Sequence, residues 1–151
     1  MTNVCRSVPS LQLSMLGAPR GRRGSLVYDQ GMVEKVNLAQ KLSLVDECWS
    51  PKIVAELNDA YVKVVKFEGE FVWHHHDDED ELFLVVSGRM RMQFRDSDVV
   101  LEPGELIVVP RGVEHCPLAE GECHVVLIEP KTTLNTGNVQ NERTVDELER
   151  L

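Results

Sequence analysis

No apolar run in the chain approaches the roughly 20 residues that a membrane-spanning helix needs, which argues against an integral membrane protein. No Cys-x-x-Cys pair occurs among the four cysteines, Cys5, Cys48, Cys116 and Cys123. Such scattered spacing supports neither a disulfide framework nor a zinc knuckle, and it points to reduced thiols and a cytoplasmic location. Cys116 and Cys123, placed to face each other across a hairpin, are read as small apolar side chains. A helix-turn-helix segment is also missing, which argues against a transcription regulator. Acids are absent from residues 1–28, which carry Arg6, Arg20, Arg22 and Arg23; residues 29–151 hold 12 basic and 25 acidic side chains, a net −13 within a whole-chain −9. An acidic body of this kind excludes nucleic acid and anionic membrane as expected partners.

What is present is ordinary for one globular domain: 151 residues, 42% hydrophobic and 27% charged. Residues 1–31 are the exception, since Ser7, Pro9, Ser10, Gly17, Pro19, Gly21 and Gly24 interrupt any helical or strand period. Arginine- and serine-rich and acid-poor, the segment has the composition of an organelle transit peptide. The reading adopted is upstream sequence ahead of a start at Met32, disordered on either account. The expected domain is 32–130, followed by an arm over 131–151.

From Met32 the pattern becomes regular. Leu38, Leu42 and Val45 lie at helical spacing in 36–45, and Pro51 ends that helix. Strands are expected over 52–57, 60–67, 71–76, 82–87, 89–95, 99–101, 106–109, 114–118 and 124–128, with Asn58-Asp59 as a hairpin turn. Along 89–95, Met90, Met92 and Phe94 share the core face, and Arg89, Arg91 and Arg95 the solvent face. Residues 131–141 read as a loop, and Thr144-Val145-Asp146-Glu147 as the capping box of a short terminal helix. Nine short strands with frequent turns predict an all-β sandwich or barrel.

The densest chemistry is Trp73-His74-His75-His76, then five acids from Asp77 to Glu81, then an apolar run to Gly88. On an extended chain His74 and His76 share a face and His75 points away. A strand starting at Leu82 brings Glu81 beside the two imidazoles, and a fourth donor would come from elsewhere, His115 and His124 being the histidines outside the triplet. Two neutral imidazoles and one carboxylate on one face suit a divalent transition metal. The acids 77–80 are read as a solvated loop, and His124 as a strand histidine outside the site. Phe83 and Val85 share the face of Glu81 and would line a pocket; Trp73 and His75 would face outward.

Two spacings resemble cupin motifs. Gly69, His74-x-His76, Glu81 and Gly88 resemble the first, and Gly104, Pro110-x-Gly112 and His115 the second. The first departs by one residue between Gly69 and His74, so an alternative register would use His75-x-Asp77; Ala119 stands where the second motif usually has asparagine. The chain resembles the small mannose-6-phosphate isomerase-like cupins. The resemblance implies a double-stranded β-helix, a jelly-roll-like barrel with short flanking helices, and a divalent iron, manganese or zinc held by His74, His76, Glu81 and His115. It implies a small-molecule ligand and isomerase-like carbonyl chemistry, with iron-dependent dioxygenation or non-catalytic binding as alternatives. Apart from Arg111, neither motif holds a Lys or Arg cluster positioned for a phosphate, which counts against a phosphosugar. A homodimer is expected, using the strands of 52–67 at an open sheet edge, with Trp49 or Trp73 near the contact.

Overall fold

Alternation of apolar and polar side chains from residue 52 onward builds seven strands after one short helix. They are α1 (Leu38–Leu42), β1 (Lys52–Leu57), β2 (Ala60–Glu70), β3 (Glu81–Ser87), β4 (Met90–Phe94), β5 (Asp98–Leu101), β6 (Leu106–Val109) and β7 (His115–Pro130). The structure, a computed structural model, describes residues 33–151, and these elements belong to the unit Glu34–Leu151. The expectations for residues 1–31, for a start at Met32 and for Cys5 lie outside the described residues. All named strand pairs are antiparallel, in the order β1-β2-β7-β3-β6, with β4 joining β5 to β7. Apart from α1, the regular structure of the described residues is all β, as expected.

The long strand β7 organises the fold. Its first part, His115 to Leu118, pairs with β4; its second, from Cys123 on, pairs with β2 and β3, and the end of β2 reaches back to Leu118 and Ala119. Residues 114–118 and 124–128 are therefore one strand, not two. The polar stretch Glu120-Gly121-Glu122 suggested a break, but a register shift absorbs it, with Phe67 opposite Cys123 and Gly69 opposite Ala119.

Every side chain of 63–65 and 125–127 is buried, so both faces of β2 and β7 are covered there. Inward, Val65, Phe67, Phe83, Val85, Met90, Met92, Val125 and Leu127 form the core. Outward, Val64 and Val126 pack with Val54 against Leu42 and Val45. The expected arginine and methionine faces of β4 hold, with Met90 and Met92 fully buried. The helix, expected over 36–45, spans only Leu38–Leu42; the Asn37 side chain accepts from the Gln40 N–H, and the Ser43 N–H donates back into the turn.

Two further expectations are corrected. Residues 71–76 form no strand, and only His74 bridges, to His115. No helix forms at 144–147. The arm is instead held by side-chain to backbone bonds: Asn135 accepts from the Val145 N–H, and the Thr144 hydroxyl is taken up by the Asn141 N–H and by Thr136. The tail end pairs with β1 through Ile53 N–H to Glu149 O and Leu151 N–H to Ile53 O. The β1 edge expected to receive a partner is thus covered at Ile53.

Candidate metal centre

The isolated bridge His74↔His115 sets the site. Its two backbone bonds, of 3.0 and 2.9 Å, place the histidine segment against the first residue of β7. His76 follows on the same face, and the loop 77–80 returns the chain so that β3 begins at Glu81. The loop is anchored by Asp80, whose carboxylate accepts from the Arg111 N–H at 2.9 Å, and by Glu79, which accepts from the Thr132 hydroxyl. His74, His76, Glu81 and His115 meet as a result, their donor atoms all within 4.8 Å of one another.

All four side chains are buried, and their polar atoms are under-used. Among the described residues, His76 Nε2, Glu81 Oε2 and His115 Nε2 are buried with no hydrogen-bond partner. Burying polar atoms unpaired costs about 1–3 kcal/mol each, so three converging on one point favour a shared ligand there. Glu81 Oε2 lies 3.2 Å from His76 Nε2 and 3.4 Å from His115 Nε2. Donors each about 2.0–2.2 Å from a common ion sit at such separations. The residues therefore fit a divalent metal.

Tautomers are fixed by the backbone. His74 Nδ1 and His115 Nδ1 each lie 2.9 Å from a carbonyl, of Val72 and Val113 respectively. A carbonyl only accepts, so each Nδ1 carries the proton and each Nε2 presents its lone pair to the cluster. Burial, aided by the neighbouring His115, pushes the His74 pKa down to about 4, so the ring is neutral at pH 7. Burial alone would raise the Glu81 carboxyl, but the His115 and His76 rings beside it outweigh burial and hold it well below the usual range. A neutral His74 ring beside an ionised Glu81 carboxylate is the state a cation needs.

On the same inward face stands Glu129 of β7, whose carboxylate bonds Lys63 Nζ of β2 at 2.5 Å, both side chains fully buried. Burial, then the nearby Glu81, pushes the Glu129 carboxyl well up, against the pull of Lys63. Nothing local in the sequence singles out this pair; two lone charged residues at inward strand positions are its only signal.

A narrow cleft with a cavity volume of about 20 Å³, partly open to solvent, leads to the cluster past Trp49, Phe67, Phe71, Phe83, Pro117 and Leu127, with Asn135 as a polar lining residue. Trp49 adopts φ 63° and is held there by its N–H to Lys66 O and its indole N–H to Glu68 O. Its ring stacks on Phe67 and Phe71 at 4.3 and 4.8 Å. The sequence reading missed this aromatic wall except for Phe83.

Other candidates fall outside. His75 pairs with Asp77 at 3.1 Å on the surface side, which excludes the alternative register. His124 pairs with Glu122, Arg111 is exposed, and the Trp73 ring lies under the Arg95 guanidinium at 3.9 Å. Cys48, Cys116 and Cys123 are free thiols; burial pushes those of Cys116 and Cys123 up to about 11. No helix among the described residues is long and apolar enough to cross a membrane.

The family described as "Cupin domain" matches residues 61–131. A crystal structure of a cupin-2 domain containing protein from Shewanella frigidimarina is 49% identical, with TM-score 0.63, over 64% of this chain and 94% of that one. Protein NMB1881 from Neisseria meningitidis is 35% identical, with TM-score 0.60, over 65% of this chain and 100% of that one. The uncharacterized protein YdbB of Bacillus subtilis is 40% identical over 63 residues, 41% of this chain; the chain spans about half of that relative's length, 56%. With the motif residues gathered as described, the chain belongs to the cupin family.

Proposed function

We propose that His74, His76, Glu81 and His115 hold one divalent transition metal, and that the protein binds there the oxygen-donor end of a small, largely apolar molecule. The observation that carries this is the set of three unpartnered buried atoms, His76 Nε2, Glu81 Oε2 and His115 Nε2, converging at the end of an aromatic pocket. When bound, the metal supplies a Lewis acid that polarises a carbonyl oxygen. The side chains do the rest. Phe71, Phe83 and Trp49 exclude water and hold an apolar body, and the dry wall strengthens each charge interaction inside. Glu81 balances the cation's charge.

The lining also ranks the chemistries. No lysine or arginine lines the pocket, which disfavours a phosphorylated sugar. Isomerase-like carbonyl chemistry remains open to an unphosphorylated, apolar substrate. A second reading, iron-dependent dioxygenation, is favoured by one observation: among the described residues, His74 and Glu81 are the only titratable side chains on the pocket wall, and both are assigned to the metal, so no further acid or base on that wall is left to carry a proton between carbons.

Titrating manganese-loaded protein with an apolar α-hydroxy ketone, and separately with a hexose phosphate, tests the reading by tryptophan fluorescence. The ketone should bind only in the presence of metal, and Phe71→Ala should weaken it about tenfold or more, the scale of losing one buried aromatic contact. Tighter binding of the hexose phosphate would contradict it.

A further inference from the structure

Residue His75 separates two of the metal-binding histidines, and the arm beyond β7 grips it. The Asn138 side-chain oxygen accepts from the His75 N–H at 3.0 Å, and the Asn138 N–H donates to His75 O at 3.0 Å. One residue of the arm thus satisfies both backbone groups of the residue between His74 and His76. Immediately before it, Gly137 has φ +53° and lies so close that a Cβ there would sit 2.2 Å from His75 O and 3.2 Å from His74 Cδ2. No side chain fits at 137 without moving the His75 peptide or the His74 ring.

The grip replaces what a sheet would have supplied. His74 makes an isolated bridge and His76 O accepts from the Gly112 N–H at 2.7 Å, but residues 75–80 belong to no strand, and among the described residues only the arm bonds the His75 backbone between them. The arm that does so is itself fixed. The Gly137 N–H donates to Leu134 O at 2.8 Å, Thr136 is fully buried and bonds Thr144, and Asn135 is held between Val145 N–H and Arg143 O. These contacts lie beyond residue 131, where the family match ends.

We infer that Gly137 and Asn138 are positioning residues for the metal centre: they hold the His75 peptide so that His74 and His76 aim at one ion. The inference rests on the proposed metal reading. It assigns the arm a function that packing alone would not, because loss of the grip should change the coordination while the barrel stays folded. Partners that orient metal ligands typically change affinity about 10–100-fold when lost, which sets the expected scale.

Cobalt(II) serves as the probe, with its visible absorption spectrum reporting coordination and a titration reporting affinity. Wild type should bind cobalt with a defined spectrum. Gly137→Ala should weaken binding about tenfold or more and alter the band shape, and Asn138→Ala should do so several-fold. Asn138→Asp, which keeps an acceptor for the His75 N–H, should restore most of the affinity. Leu151→Ala, which removes packing from the outer sheet face without touching His75, should lower thermal stability and leave the cobalt spectrum unchanged. If Gly137→Ala does not fold, Asn138→Ala and its aspartate rescue decide the matter. Folded variants that bind cobalt with wild-type affinity and spectrum would overturn the positioning role alone. Failure of wild type to bind cobalt would overturn the metal reading and this inference with it.

Discussion

His74 shows how one residue couples the site to stability. Its folded pKa is lowered from 6.5 to about 4, mainly by burial. As pH falls below 6.5 the unfolded chain takes up this proton first, so acid favours unfolding. Full stability is present above that value and is lost across the interval down to about 4. With the side chain 2% exposed, the loss from this ring is roughly 3 kcal/mol, at about 1.4 kcal/mol per pH unit. Glu81, held below its ordinary range, adds loss of the same sign at still lower pH. Urea midpoints of chelator-treated protein should therefore drop between pH 6.5 and 4, and His74→Gln should flatten that drop. A wild-type profile without slope, or an equal slope in the variant, would contradict the burial argument.

Among the elements, the β3–β4 turn is the tightest test of packing. Gly88 has φ +79°, and a Cβ there would meet Glu122 O at 2.6 Å and Cys123 Cα at 2.8 Å, both backbone atoms of β7. Gly88→Ala should cost about 1–3 kcal/mol or more, because the strained turn and the displaced strand add. Chemical denaturation should show that loss while metal uptake is retained; a neutral effect would mean that the turn can relax. The same elements show what the sequence could reveal. Strands such as β4 and β6 were legible because Met90 and Met92, or Leu106 to Val109, alternate or run apolar between turn residues. The terminal helix was not, because Thr144 spends its hydroxyl on Thr136 and Asn141 and Asn135 captures the Val145 N–H; partners eight to ten residues away are invisible to a local capping pattern. The four residues of the candidate metal site were legible from the His-x-His spacing and the two glycine patterns. The aromatic wall was not, since Trp49, Phe67 and Phe71 come from segments whose meeting depends on a left-handed residue at Trp49.

In the whole molecule, the site joins segments that the chain order keeps apart. Glu81 opens β3 and His115 opens β7, 34 positions later, so a shared ion would tie the two halves of the barrel together. The inward cluster from Val65 to Leu127 gives the barrel a core of its own, so the fold should persist without the ion and gain from it. A ligand that binds only the folded state adds about 2.7 kcal/mol at a hundredfold excess over its dissociation constant. The central claim is that the four buried side chains hold one divalent ion, and the most direct measurement is elemental analysis of purified protein, stripped by chelator, reloaded with manganese and desalted. Wild type should retain one manganese per chain, and a folded His76→Ala variant should retain almost none. Equal retention by the two proteins, or none by either, would contradict the claim.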